Sequence, residues 1–221
     1  FSSDSRGSVR FDARARDETG ALAAHIRGSH ALSSGAGKAR VQFDPLEFGE
    51  ARPAMGAVAR WLGPRIRIER GTIGIDSELH WGKPGLATVA QLSADGAVIR
   101  APGSQIEGLG GALALAEVFP PTTRGVQELR FHRADVGIPL GAGHIRYAIG
   151  SGHAIQIERA ESDFAGGRLV VRGALDLDGG PNQRLEFQLA NLAAPELLAL
   201  SPVEGLEVSG NLSGEMVLTV E

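Results

Sequence analysis

The stretch that decides the fold is Gly167-Arg168-Leu169-Val170-Val171-Arg172-Gly173-Ala174-Leu175-Asp176-Leu177-Asp178, then Gly179-Gly180-Pro181-Asn182, then Gln183-Arg184-Leu185-Glu186-Phe187-Gln188-Leu189. Leu169, Val171, Leu175 and Leu177 stand opposite Arg168, Arg172, Asp176 and Asp178. After the Gly-Pro cluster, Leu185, Phe187 and Leu189 stand opposite Arg184, Glu186 and Gln188. A β-strand sends successive side chains to opposite faces, so each run reads as a strand with one apolar face. Glycine supplies positive φ, and a short Gly-rich link between two strands makes them antiparallel neighbours.

Working outward, the same period of two recurs. Val9, Phe11, Ala13 and Ala15 alternate with Arg10, Asp12, Arg14 and Arg16. Leu22, Ala24 and Ile26 alternate with His25 and Arg27, and Ala39, Val41 and Phe43 with Arg40, Gln42 and Asp44. Ile73, Ile75, Leu79 and Trp81 oppose Thr72, Asp76, Glu78 and His80. Leu212, Met216, Leu218 and Val220 oppose Asn211, Ser213, Glu215 and Thr219. Turn signals at Asp17–Gly20, Ser33–Gly37, Asp95-Gly96, Pro102-Gly103 and Gly150–Gly152 punctuate the runs. Two segments carry helical spacing instead: Ala51–Leu62, with Met55, Val58 and Leu62, and Ala193–Leu200, with Asn191 as candidate cap and Pro195 in the first turn. The run Gly110–Val118 fits strand or helix. Ile66-Arg67-Ile68-Glu69-Arg70 is echoed by Ile155-Gln156-Ile157-Glu158-Arg159. The expected fold is mainly β, a long curved antiparallel meander sheet (a groove or half-pipe) with two short helices. It forms one elongated domain over 1–221, with a weak junction near 44–64.

Composition narrows the function. The 221 residues include 31 Gly, no Cys and 43% hydrophobic residues, of which few are aromatic, and the net charge is −4. Without Cys there is no disulfide scaffold, thiolate metal site or Cys nucleophile. The acidic balance and sparse aromatics argue against a nucleic-acid binder. The apolar runs are far shorter than the ~18–20 residues that cross a bilayer. Phe1 and Glu221 read as the bounds of a segment of a longer protein.

Chemistry-bearing motifs are scarce. His25, His30, His80, His132, His144 and His153 show no metal-ligand spacing, and His25 and His30 fall on opposite strand faces. No G-x-S-x-G occurs, and Gly35-Ala36-Gly37-Lys38 lacks the spacing of a phosphate loop. Asp76 and Glu78 share a strand face, as catalytic carboxylates of a carbohydrate-active enzyme would, but so does any solvated face. The expectation is no catalytic residue, no metal and no cofactor.

The apolar faces pose the real question. They are aliphatic, and there are few helices to cover them. The sheet can close as a sandwich or barrel, curl around a helix, or leave a trough that acyl chains fill. From pattern alone a closed core is the simpler outcome.

The second half carries a resemblance. Val118-Phe119-Pro120-Pro121-Thr122-Thr123-Arg124-Gly125-Val126-Gln127-Glu128-Leu129, then Ala134-Asp135-Val136-Gly137-Ile138-Pro139-Leu140, then Phe164-Ala165-Gly166-Gly167-Arg168-Leu169 and Gly205-Leu206-Glu207-Val208-Ser209-Gly210-Asn211-Leu212-Ser213-Gly214 resemble the pattern of the YdbH-like family of bacterial envelope proteins. The resemblance is good over Pro120–Glu221 and stylistic before it. That family is similar to AsmA-like and TamB-like proteins. The resemblance implies a periplasmic segment of a bridge-like protein, anchored as a whole in the inner membrane of a Gram-negative bacterium. Such a protein carries phospholipid between inner and outer membranes along an apolar β-groove, with inner- and outer-membrane proteins as partners. The groove-lining candidates are Ile73, Ile75, Leu79, Trp81, Leu169, Val171, Leu175, Leu177, Leu185, Phe187, Leu212, Met216 and Leu218, and the ligand is the acyl chain. The alternative is a structural or adhesive sheet segment of a secreted or surface protein without transport activity.

Overall fold

The computed structural model describes residues 2–3, 7–18, 22–49, 65–151, 154–176, 183–201 and 205–220. Among these residues seventeen strands belong to a single sheet. The long strands are β2 (Ser8–Arg16), β3 (Ala23–Ala31), β4 (Gly37–Phe43), β6 (Arg67–Gly82), β7 (Gly85–Ala101), β8 (Ser104–Glu117), β10 (Gln127–Phe131), β13 (Gly143–Ile149), β14 (Ala154–Phe164), β15 (Gly167–Asp176), β16 (Gln183–Ala193) and β17 (Asn211–Val220). The short ones are β1 (Ser2–Ser3), β5 (Leu46–Phe48), β9 (Thr122–Thr123), β11 (Arg133–Asp135) and β12 (Pro139–Leu140).

Hydrogen bonding runs β2–β3–β4–β6–β7–β8–β10–β13–β14–β15–β16–β17, antiparallel at every step. It is a meander, as short links between alternating runs require. The short strands fill in along the long ones. β5 pairs with the first half of β6 and β4 with the second half, while β11, β10 and β9 pair in turn along β8. Among the described residues no pairing joins the β1–β2 end to β17, so the sheet is open. The ambiguous run at Gly110 is strand, the interior of β8.

Several expectations change. Of the two helices, the segment Ala51–Leu62 lies outside the described residues, as does most of the 44–64 junction. The second is α1 (Ala194–Ala199), with proline in its first turn, but its cap residue is Ala193, which makes no side-chain capping bond. Asn191 is not the cap. It sits within β16 at φ 54°, where its backbone N–H donates to Ser213 Oγ at 3.0 Å. Asp95-Gly96 is not a turn but lies inside β7, where Gly96 has φ 59° and the register to β6 and β8 shifts. The same left-handed glycine that closes a hairpin also makes a bulge, and here the strand continues through it.

The Ile-x-Ile-Glu-Arg echo acquires a structural meaning. In β6 the register shifts between Ile68 and Arg70, and in β14 between Ile157 and Ala160. Each copy is a bulge. In β14 it places Glu158 and Arg159 beside Arg146 and Glu161 on the polar side, while Ile157 and Ala160 both pair with apolar residues. A bulge bends its strand and increases twist, so these positions shape the sheet without reversing its faces.

Glycines mark where backbone and side chain approach. Gly28 lies under the Phe11 ring, Gly37 under Trp81 and Gly143 under Phe131, each on the neighbouring strand. Gly173 has φ 138°, and a Cβ there would strike the Arg184 carbonyl. Gly214, by contrast, has open space around it and no positive φ. Gly173→Ala is expected to lower unfolding free energy by roughly 2 kcal/mol or more, through backbone strain and overlap together, whereas Gly214→Ala leaves it within about 0.5 kcal/mol. Urea unfolding of the two variants checks this.

Candidate functional site

Residues directly opposite in an antiparallel pair share a face, so the register assigns faces across the sheet. One cross-strand row runs Leu46, Ile73, Ala94, Gly111, Leu129, Ile145, Ala160, Val171, Phe187, Met216, ten strands wide without a polar residue. At ~4.8 Å per strand it extends about 43 Å. Flanking rows on the same face are nearly as apolar. Ala13, Ile26, Val41, Ser77, Ala90 and Leu115 form one. Tyr147, Ile157, Gly173, Leu185 and Leu218 form another. None of these residues is Asp, Glu, Lys or Arg.

The sequence candidates fall where this face predicts. Ile73, Ile75, Leu79 and Trp81 lie on β6, Leu169, Val171 and Leu175 on β15, Leu185 and Phe187 on β16, and Leu212, Met216 and Leu218 on β17. Leu177 lies outside the described residues. Ile73, Val171, Phe187 and Met216 share the ten-strand row. The alternation of β10, β13 and β14 belongs to the same face and extends the candidate set. It adds Leu129, Phe131, Ile145, Tyr147, Ile155 and Ile157, whose spacing was there to be read in His144-Ile145-Arg146-Tyr147 and Ile155-Gln156-Ile157.

The face is not sealed as a core. Eleven apolar residues are buried among those described, and the largest fully buried ones are Leu46 and Leu192 alone. Ile73, Ile75, Leu79, Trp81, Val171, Leu175, Leu185 and Phe187 are partly exposed. On β17, the last strand of the sheet, Leu212 and Met216 are 55% exposed and Leu218 is 49% exposed. Several polar side chains on this side are satisfied within the protein. Trp81 Nε1 donates to His30 Nδ1 at 3.1 Å with the two rings stacked. Gln127 Oε1 accepts from the Ala114 N–H at 2.8 Å while its Nε2 donates to the Arg124 and Gly125 carbonyls. Ser162 Oγ donates to the Asp163 carbonyl. Polar groups paired in this way leave the surface apolar in effect.

The opposite face carries the charges, some in cross-strand pairs and some in pairs two residues apart on one strand. Arg40 Nε donates to Asp76 Oδ1 at 3.1 Å, and Gln42 Nε2 donates to the other oxygen. The hydrogen bond from Arg40 holds the Asp76 carboxyl below its ordinary range and raises the guanidinium in turn. His25 does the same for Asp12 at 2.6 Å, and Arg159, with Arg168 and His144 behind it, for Glu161. An open depression of about 600 Å³ on this side is lined by Arg130, His132, His144, Glu161, Asp163 and Arg168 among others. Its Glu128 and Glu161 are committed to Arg130 and to Arg159 and Arg168. Asp76 and Glu78 share this face, as the sequence indicated, but Asp76 is fixed as an ion-pair acceptor. Among the described residues no three His, Asp or Glu side chains could hold a metal ion, and no helix is long and apolar enough to cross a membrane.

An aliphatic face of this extent, uncharged and partly exposed among the described residues, suits disordered hydrocarbon better than any small polar ligand. The model of the YdbH-like family, described as intermembrane phospholipid transport protein YdbH, matches residues 2–220. The chain belongs to this family. The match reaches nearly to Phe1, well beyond the Pro120–Glu221 portion whose motifs carry the resemblance. Both halves of the sheet are therefore family sequence, and membership implies a role in phospholipid transport between membranes. No curated protein and no solved structure matches the chain.

The ion pairs give a pH signature. A carboxyl held low in the fold stabilises the protein fully above the unfolded carboxylate range, near pH 4, and loses that contribution as pH falls through its folded value. Asp76→Asn and Glu161→Gln are each expected to be less stable than the parent at pH 7, with the gap narrowing by pH 3. Urea midpoints at the two pH values check the sign.

Proposed function

We propose that this chain is a periplasmic segment of a bridge-like protein and that phospholipid acyl chains travel on its apolar sheet face. The ten-strand apolar row from Leu46 to Met216 carries the reading. The family supplies the cargo class, and the row supplies a continuous surface for it. Acyl chains would lie against the aliphatic side chains and headgroups would remain at the wet rim. Aliphatic contact is worth about 0.8 kcal/mol per buried methylene and has no preferred register. A chain of a dozen methylenes is then held strongly yet meets no large barrier to sliding from one strand to the next. The bulges at Ile68–Arg70 and Ile157–Ala160 bend the strands and would curve the sheet into a trough around the row. Covalent chemistry plays no part. Inner- and outer-membrane proteins would feed and empty the trough, and an inner-membrane anchor on the full-length protein would fix its origin.

Val171 sits inside the row, between Ala160 and Phe187. A carboxylate there would have to be desolvated by every passing chain, at a cost of several kcal/mol. Val171→Asp is expected to fold, since the position is partly exposed, and to lose most of the phospholipid that co-purifies with the parent in native mass spectrometry with lipid extraction. Full phospholipid transport in cells by a well-folded Val171→Asp protein would remove this residue from the path.

A further inference from the structure

The polar face is not electrically uniform. On β13 to β16 the ion pairs include Arg146 with Glu158, Arg168 with Glu161 and Arg184 with Glu186. On β2 to β4 the balance tips. Arg27 and Arg40 have Asp12 and Asp76 as acceptors, but among the described residues no carboxylate lies within ion-pair distance of Arg10, Arg14, Arg16 or Lys38. All four side chains are exposed. This local excess occurs in a chain whose net charge is −4.

The geometry gathers the four cations. Arg10, Arg14 and Arg16 occupy alternate positions of β2 and so share its polar face, over about 20 Å. Ser29 pairs with both Arg10 and Lys38, which puts Lys38 in the same cross-strand row two strands away. Within these strands the neighbouring acid is Asp12, already held by His25 and Arg27, while Asp17, which accepts from the Leu22 N–H, and Glu18 follow Arg16 beyond the end of β2, and Asp44 lies beyond the end of β4. The result is a two-dimensional basic patch on the sheet rather than a pocket. Its partner should be an extended anionic surface. A nucleic acid fits poorly, because base stacking needs aromatic rings beside the cations, and the nearby Phe11 and Trp81 belong to the apolar face.

We propose that the polar face of β2 to β4 docks onto anionic phospholipid headgroups of a membrane surface through Arg10, Arg14, Arg16 and Lys38. The choice of a lipid surface as partner rests on the phospholipid-transport reading, whereas the patch itself does not. Each cation near such a surface strengthens binding roughly fivefold, and salt screens the attraction over about 10 Å at 0.1 M.

The test is flotation of the purified protein with vesicles of zwitterionic phosphatidylcholine alone and with about one-third anionic phosphatidylglycerol. The parent is expected to float with the anionic vesicles at low salt, to be released by 0.5 M salt, and to stay in solution with the zwitterionic ones. Arg14→Gln/Arg16→Gln is expected to weaken binding by more than tenfold. Arg184→Gln, which removes a cation of the far strands, is expected to leave binding unchanged. Equal flotation with both vesicle types would overturn the proposal, because the apolar face would then be the contact. No flotation at low salt would also overturn it. If the Arg14/Arg16 variant then formed larger oligomers, the arginines would be guarding the open edge of β2 against strand pairing. Co-purified phospholipid, measured on the same preparations, reports the apolar face separately. Loss of that lipid with anionic-vesicle binding intact would contradict the transport reading and leave the docking patch standing.

Discussion

The structure depends on the strict alternation of side chains about an antiparallel sheet. A slip of one residue in any strand would carry its apolar set to the charged side. Because Ile73, Leu129, Val171 and Phe187 share a row with Met216, register is what converts a dozen separate amphipathic strands into one surface. The charged side reinforces the same register. Arg40 with Asp76, and Arg168 with Glu161, are contacts between strands that a slipped pairing would break.

Much of this was legible in the chain. The Gly167–Leu189 stretch reads as a strand, a Gly-Pro link that lies outside the described residues, and a strand, and its alternation already separates Leu169, Val171 and Phe187 from Arg168, Arg172 and Glu186. The thirteen groove candidates were chosen by that alternation, and the described twelve fall on one face. Spacing along the chain carried less information about bulges. Asp95-Gly96 reads as a turn because a left-handed glycine serves turn and bulge alike, and only the pairing partners of β7 decide between them. Asn191 failed as a helix cap for a similar reason. Its left-handed backbone belongs to the irregular end of β16, and the cap position falls two residues later.

The pattern could not say whether the apolar face would close. Alternation is identical in a sandwich, a barrel and an open sheet, since it records one buried side and not what buries it. The structure supplies that answer in exposure. Two large side chains are fully buried among the described residues, while the face as a whole is partly accessible. An apolar surface of this size on a protein is normally a contact surface for something else. Family membership implies a role in phospholipid transport, and the aliphatic, uncharged character of the row is compatible with the hydrocarbon partner proposed above.

The most direct measurement places a photo-crosslinking amino acid at single positions of the two faces in cells and asks which of them captures phospholipid. Val171 and Phe187 lie on the apolar row, while Val170 and Gln188 pair with each other on the reverse side of the same strands. The expected result is phospholipid adducts at Val171 and Phe187 and none at Val170 and Gln188. Adducts on both faces alike, or on neither, would contradict a lipid path along the apolar sheet.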